Sequence, residues 1–289
     1  MSNYFYIGSQ SAGDVWNDAA CWANTSGGVG GAGIPQPMKG VVFDSASSRN
    51  CTIPVGANAS CQAFSSIGYT GTLTLNDSFT AASVSVDSNA NWVMNAYFKS
   101  TGNINIDADA TITGLMKTFF AIPETPNSCA ISAPNRIWGE ILVGTGTSNG
   151  MTQLSADLSV SSLDFQSGAF ASSGSDVNVY GGISTIAACG GIDFTDSVVR
   201  LYNGAYIENE FDKITHLPRV YSVSSGTTGG PVDSAVLGFN LKDFKGILDF
   251  ELWLQANIPE GAKITNISYA EAMHKQVVVW ETGGGGGGG

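Results

Sequence analysis

Residues 72–113 contain Thr72-Leu73-Thr74-Leu75, Val84-Ser85-Val86, Trp92-Val93-Met94, Ile104-Asn105-Ile106 and Thr111-Ile112-Thr113. In each segment apolar residues alternate with polar or smaller ones, the period of two that a half-buried β-strand requires. Turns rich in Gly, Asn, Asp and Ser follow after only a few residues. The same grammar resumes at Ile137–Val143, Leu158-Ser159-Val160, Leu163-Asp164-Phe165, Val177-Asn178-Val179, Ile192-Asp193-Phe194 and Val198–Tyr202. No window has the capped, amphipathic pattern of an α-helix. Many short strands at near-regular intervals build either a sandwich or a solenoid. The segments are too short for ordinary hairpin strands and too uniform in style. The expectation is therefore an all-β chain whose residues 51–210 form a β-solenoid, or β-helix-like ladder, with inward Leu, Ile, Val and Phe stacked from coil to coil.

The flanks differ in texture. Residues 1–50 form a Trp/Gly-rich module: Tyr4-Phe5-Tyr6-Ile7, then Trp16 and Trp22, then Ser26–Pro35 with its glycines, then Val41-Val42-Phe43-Asp44. Two tryptophans so close together need burial, and glycines allow a tight loop to fold over them. Beyond residue 210 the strands lengthen, at Ile247–Leu254, Lys263–Tyr269 and Gln276–Trp280, and half of the 12 Lys and Arg residues gather. Residues 211–282 are read as a C-terminal antiparallel β domain or cap, covering the open last coil that a solenoid otherwise exposes. Residues 283–289 are a polyglycine tail.

Composition supports the same class. Of 289 residues 37 are Gly and 12% are charged, against about 7% and about 25% in soluble proteins at large. With 43% hydrophobic residues the chain has material for a core, and its longest apolar runs are too short to insert in a membrane as helices. Twelve basic against 24 acidic residues give a net charge of −12. The basic residues form no stripe, which argues against nucleic-acid binding, and the acidity fits a soluble surface with few charges. Cys21, Cys51, Cys61, Cys129 and Cys189 form no CxxC pair and lie far from His216 and His274, so no zinc spacing appears. Buried free thiols account for them, with a Cys51–Cys61 bridge left open. The start, MSNYFYIGSQ, lacks a basic region followed by an apolar run, pointing to assembly inside a cell or to a leader already removed.

Catalytic signatures are not found: there is no GxSxG, P-loop, HExxH or Rossmann glycine pattern. The glycines of 26–33 lead to Pro35 and a strand rather than a helix, unlike a phosphate cradle. Asp107 with Asp109 and Asp193 with Asp196 have turn-like surroundings. Glu208, Glu210 and Asp212 share one face of a strand, an acidic row that would raise a carboxyl pKa or hold Ca²⁺. A charged, solvated strand edge accounts for the same three residues, so neither a catalytic residue nor a cofactor is assigned. Among the aromatic residues Trp92, Tyr97, Trp138, Tyr202, Tyr206 and Trp253, the contact candidates for a sugar ring or a partner subunit are Trp138, Tyr202, Tyr206 and Trp253.

The most specific pattern is Trp16-Asn17-x-x-Ala20-x-Trp22, Ser26-Gly27-Gly28, Gly30-Gly31-x-Gly33-x-Pro35 and Val41-Val42-Phe43-Asp44, followed by Cys61-x-x-Phe64 and Gly71–Leu75. It resembles a module near the start of large repetitive β proteins among bacteriophage tail-fibre-like and other virion proteins and bacterial surface proteins. The resemblance spans residues 4–205 and implies β-helical coils after the module, with no catalytic signature. It implies a non-enzymatic tail-fibre, spike or capsid-decorating subunit, assembled in the host cytoplasm and carried on the virion. The implied partners are other virion proteins, further copies of the chain (a trimer) and a host-surface glycan. A glycan-cleaving spike and a bacterial adhesin are the alternatives.

Overall fold

The computed structural model describes residues 3–8, 14–114, 118–123, 128–134, 137–144, 150–185 and 189–202, then the backbone of strands at 206–208, 214–216, 219–223, 234–239, 262–270 and 275–282. Among the described residues all regular structure is β except one 3₁₀ turn, Ala19–Cys21.

The chain opens with β1 (Asn3–Tyr6), β2 (Trp22–Ala23) and β3 (Gly40–Asp44). Seven coils follow between residues 51 and 193. They comprise β4 (Cys51–Ile53) and β5 (Ala59–Ile67); β6 (Thr72–Leu75) and β7 (Phe79–Val86); and β8 (Asn91–Met94), β9 (Phe98–Ser100) and β10 (Ile104–Ile106). Next come β11 (Thr111–Thr113), β12 (Phe119–Ala121) and β13 (Ser128–Ser132), then β14 (Ile137–Val143) and β15 (Met151–Leu154). The sixth and seventh coils are β16 (Leu158–Phe165) with β17 (Gly168–Ala171), and β18 (Val177–Thr185) with β19 (Cys189–Asp193). Where a coil shows only two strands, its longer strand serves two ladders, one with each half.

Three parallel ladders run along the stack. The first joins β4, β6, β8 and β11, and resumes from the first halves of β14, β16 and β18. The second runs from the first halves of β5 and β7 through β9 and β12 to the second halves of β14, β16 and β18. The third starts at β3, takes the second halves of β5 and β7, and continues through β10, β13, β15, β17 and β19. This is the expected β-solenoid.

Register makes the core. In the second ladder Phe79, Phe98, Phe119, Ile141, Leu163 and Ile183 are consecutive partners, 19 to 22 residues apart, and all are buried. Beside the three phenylalanines the next inward row is small, with Ala81, Ser100 and Ala121; where Ile141 and Leu163 replace Phe, that row enlarges to Val143 and Phe165. Volume is thus shared between neighbouring rows, as close packing demands. Phe98 and Phe119 stack at 5.3 Å, and Trp138 meets Phe119 edge-on at 4.9 Å.

The N-terminal module joins this core directly. Five residues of β3 pair in parallel with β5, β1 pairs with β3, and β2 closes the edge antiparallel to β1. Trp16 and Trp22 are both buried, as their need for shelter predicts. Trp22 Nε1 donates to the Trp16 carbonyl at 2.8 Å, and the Trp16 ring lies 5.5 Å from Phe79 in the second coil. The glycine-rich loop crosses Ala20 so closely that a Cβ at Gly30 would collide with its carbonyl oxygen.

At the other end the parallel ladders pass the expected boundary at residue 211. The coil of β20 (Val198–Tyr202), β21 (Tyr206–Glu208) and β22 (Ile214–His216) is followed by β23 (Arg219–Val223), parallel to β20, and β24 (Ser234–Phe239), parallel to β21. Enrichment in Lys and Arg follows surface composition, which backbone pairing ignores. The antiparallel part begins on the far side of β24, which pairs with β26 (Lys275–Thr282), and β26 with β25 (Ala262–Ala270). The expected strand at 247–254 and the polyglycine tail lie outside the described residues.

Candidate functional site

Because coils stack in register, outward side chains of one ladder form files along the rod. On the first ladder, β16, β18 and β20 place Ser159, Asn178 and Arg200 in one file. Tyr180 and Tyr202 stand in the neighbouring file and stack nearly parallel, with ring centroids 4.5 Å apart. Asn178 Nδ2 donates to Ser159 Oγ at 3.2 Å, and Tyr202 Oη reaches toward Asn178 Oδ1 at 3.5 Å. Arg200 Nη1 pairs with Asp176 Oδ2 at 2.8 Å, while Asp176 Oδ1 accepts the Val198 amide at 3.2 Å. Burial, with the neighbouring Tyr202 hydroxyl, holds the Tyr180 hydroxyl above its usual pKa. The patch offers ring faces with amide, guanidinium and carboxylate groups held on rigid strands, the chemistry that contacts a sugar or a polar protein surface.

Of the four contact candidates, the structure therefore puts Tyr202 on an outer face. Trp138 is corrected. It points inward from β14, is fully buried against Phe119, and donates Nε1–H to the Ala133 carbonyl at 3.1 Å. The alternation of β14 turns it to the core because Ile137, its neighbour, takes the outward position. Trp92 is buried as well, and Lys99 Nζ lies 5.3 Å over the Tyr97 ring. Tyr206 lies on the backbone of β21, its side chain outside the described residues, as is Trp253 altogether. Tyr180 was missed in the sequence, although it sits two positions beyond Asn178 on an alternating strand.

The acidic row is described only in part: Glu208 ends β21, and Glu210 and Asp212 lie outside the described residues. Asp107 and Asp193 are turn caps. Asp107 Oδ1 accepts the Asp109 amide at 2.9 Å, and Asp193 Oδ1 accepts the Thr195 amide at 2.8 Å. Among the described residues no three His, Cys, Asp or Glu side chains converge as metal ligands. In the glycine loop the Gly28 and Gly31 amides already donate to Thr25 and Ala19 carbonyls, at 3.0 and 3.1 Å. Cys21, Cys51, Cys61 and Cys129 are buried free thiols, and no Cys51–Cys61 bridge forms. No helix among the described residues is long and apolar enough to cross a membrane.

No protein-family model, curated protein or solved structure matches the chain.

Proposed function

We propose that this chain is a non-enzymatic structural and binding component of a bacteriophage particle: a tail-fibre, spike or capsid-decorating subunit. The observation that carries the reading is the run of seven coils with one continuous core, which suits a rigid spacer carrying attachment or contact surfaces. The Trp16–Asp44 pattern supplies the link to virion proteins. In this reading the chain is assembled in the host cytoplasm, stays on the particle beside other virion proteins, and presents the Tyr180–Tyr202 face to a host-surface glycan.

Imaging purified particles with an antibody against the recombinant chain tests the assignment. Label at a regular position on capsid or tail is the expected result, and particles free of the chain would overturn it. An assay across capsular and cell-wall polysaccharides tests the enzymatic alternative: turnover lost on Glu208→Gln or Glu210→Gln would replace this reading with a depolymerase.

A further inference from the structure

The rings of Tyr180 and Tyr202 lie 4.5 Å apart and 12° from parallel. That spacing is close to the separation of neighbouring strands, so the stack runs along the rod. The second face of Tyr180 therefore looks back toward β16, and the register shows what lies there. Val160 pairs with Val179 and Ser162 with Gly182, so Ser161 stands opposite Tyr180 and Gly181 together. One coil further back Trp138 pairs with Val160 and Glu140 with Ser162, which sets Gly139 beside Ser161. The outward file at this corner reads Gly139, Ser161, Tyr180, Tyr202: two large rings preceded by two positions with little or no side chain. Ser161 and Gly181 are both exposed. The extra residue of β18 is a bulge, a device that re-aims a neighbouring side chain. Glycine suits it, because a Cβ at Gly181 would stand 2.7 Å from the Ser161 carbonyl oxygen.

The file thus has a step, with the Tyr180 ring as its wall and Ser161 as its floor. Each strand adds about 4.8 Å of floor along the rod. A saturated ring in contact with an aromatic face lies roughly 4 Å from it. One pyranose therefore fits over Ser161, where a third ring of the stack would stand, with its C–H face against Tyr180. Beside it the neighbouring file carries Ser162 and the exposed Glu140. Together with the Ser161 hydroxyl they supply donors and acceptors for sugar hydroxyls.

Charge narrows the ligand. Residues 137–202 carry Glu140, Asp157, Asp164, Asp176, Asp193 and Asp196 against a single base, Arg200. Asp176 already holds Arg200 at 2.8 Å. An anionic sugar would meet Glu140 with no unpaired cation among the described residues of this stretch, whereas a neutral sugar meets no repulsion. A nucleobase also stacks on tyrosine, but it brings phosphate to the same acidic surface.

We infer that the step at Ser161 and Tyr180 is a subsite for one neutral pyranose ring of a glycan, stacked face-on against Tyr180 with Tyr202 supporting that ring from behind. The inference rests on the reading of this face as glycan-binding, and narrows it to one position and one charge class.

The test titrates the full chain with soluble oligosaccharides of glucose, galactose, mannose and N-acetylglucosamine, and with oligomers of galacturonate and of sialic acid. Saturation-transfer NMR and calorimetry report binding. At least one neutral series is expected to bind, with a dissociation constant of about 0.1–10 mM. Ser161→Phe fills the step with the protein's own ring and should weaken that binding at least about tenfold, as should Tyr180→Ala. Ser161 is exposed, so its replacement leaves the core untouched, and circular dichroism should report a native fold. Ser132→Phe, on the outer face of the third ladder, should leave binding unchanged. Neutral binding that ignores both Ser161→Phe and Tyr180→Ala, or a preference for galacturonate or sialic acid, would overturn the inference while the glycan reading stands. Silence across the whole panel would overturn both.

Discussion

Phe98 sits between Phe79 and Phe119 in the second ladder, fully buried, with Ala81 and Ser100 too small to fill a vacancy beside it. Phe98→Ala should cost about 3–5 kcal/mol in denaturant unfolding, because neighbouring rows have no volume to collapse with. Thr152 gives the opposite expectation. Its Oγ1 is buried without a hydrogen-bond partner, facing inward between Cys129 and Phe170. Thr152→Val should be neutral or stabilise by about 1 kcal/mol, since it removes an unmet polar group. Burial also pushes the Cys61 and Cys129 thiols from 9.0 up to about 12. The folded chain then holds protons that the unfolded chain releases. Stability from these groups is complete below about pH 9 and lost as pH rises toward about 12. The melting temperature should fall across that interval, less steeply for the Cys61→Ala, Cys129→Ala double variant.

Single strands here mean little without their register, and register is what coils share. Partner positions lie 19 residues apart between β6 and β8 and between β7 and β9. Excising residues 72–90 therefore joins Gly71 to Asn91 with the first two ladders in phase, so that Phe98 takes the place of Phe79 against Trp16. In the third ladder Ile104 pairs with Val84 at an offset of 20, and the turn before β10 carries the one extra residue as Ile104 takes the place of Val84. The shortened chain should fold, with a scattering envelope shorter by about 4.8 Å, one strand spacing. Excising half as many residues should abolish cooperative unfolding, because one ladder would turn its polar face inward. The alternation that reveals β6, β8, β10 and β11 was plain in the sequence. Strands such as β5, with Ala59-Ser60-Cys61, were not, because small residues fill the row opposite large aromatics and carry little β signal of their own. The recurrence of Phe79, Phe98 and Phe119 was a readable clue to the coil length, since pattern at short range does not reveal which coils stack. Tyr202 was legible as an outward aromatic. Trp138 was misjudged because its orientation depends on the phase of β14, which its surroundings hide.

At the scale of the molecule, the coils advance by one strand spacing each, so seven make roughly 34 Å of rod. The two ends are chemically unlike: an aromatic core sealed under an uncharged loop at one, and at the other β24, paired parallel to β21 and antiparallel to β26. That two-sided strand has a mechanical consequence. Tension applied between the chain termini would first unzip the antiparallel strands and then reach coils each held to the next by three short ladders. Only the outermost coil bears load at any moment, so the rod should unwind like thread from a spool. A pulling experiment should show a series of similar steps, each releasing about 70 Å of chain, whereas one abrupt rupture of the whole rod would contradict a stack of separately held coils.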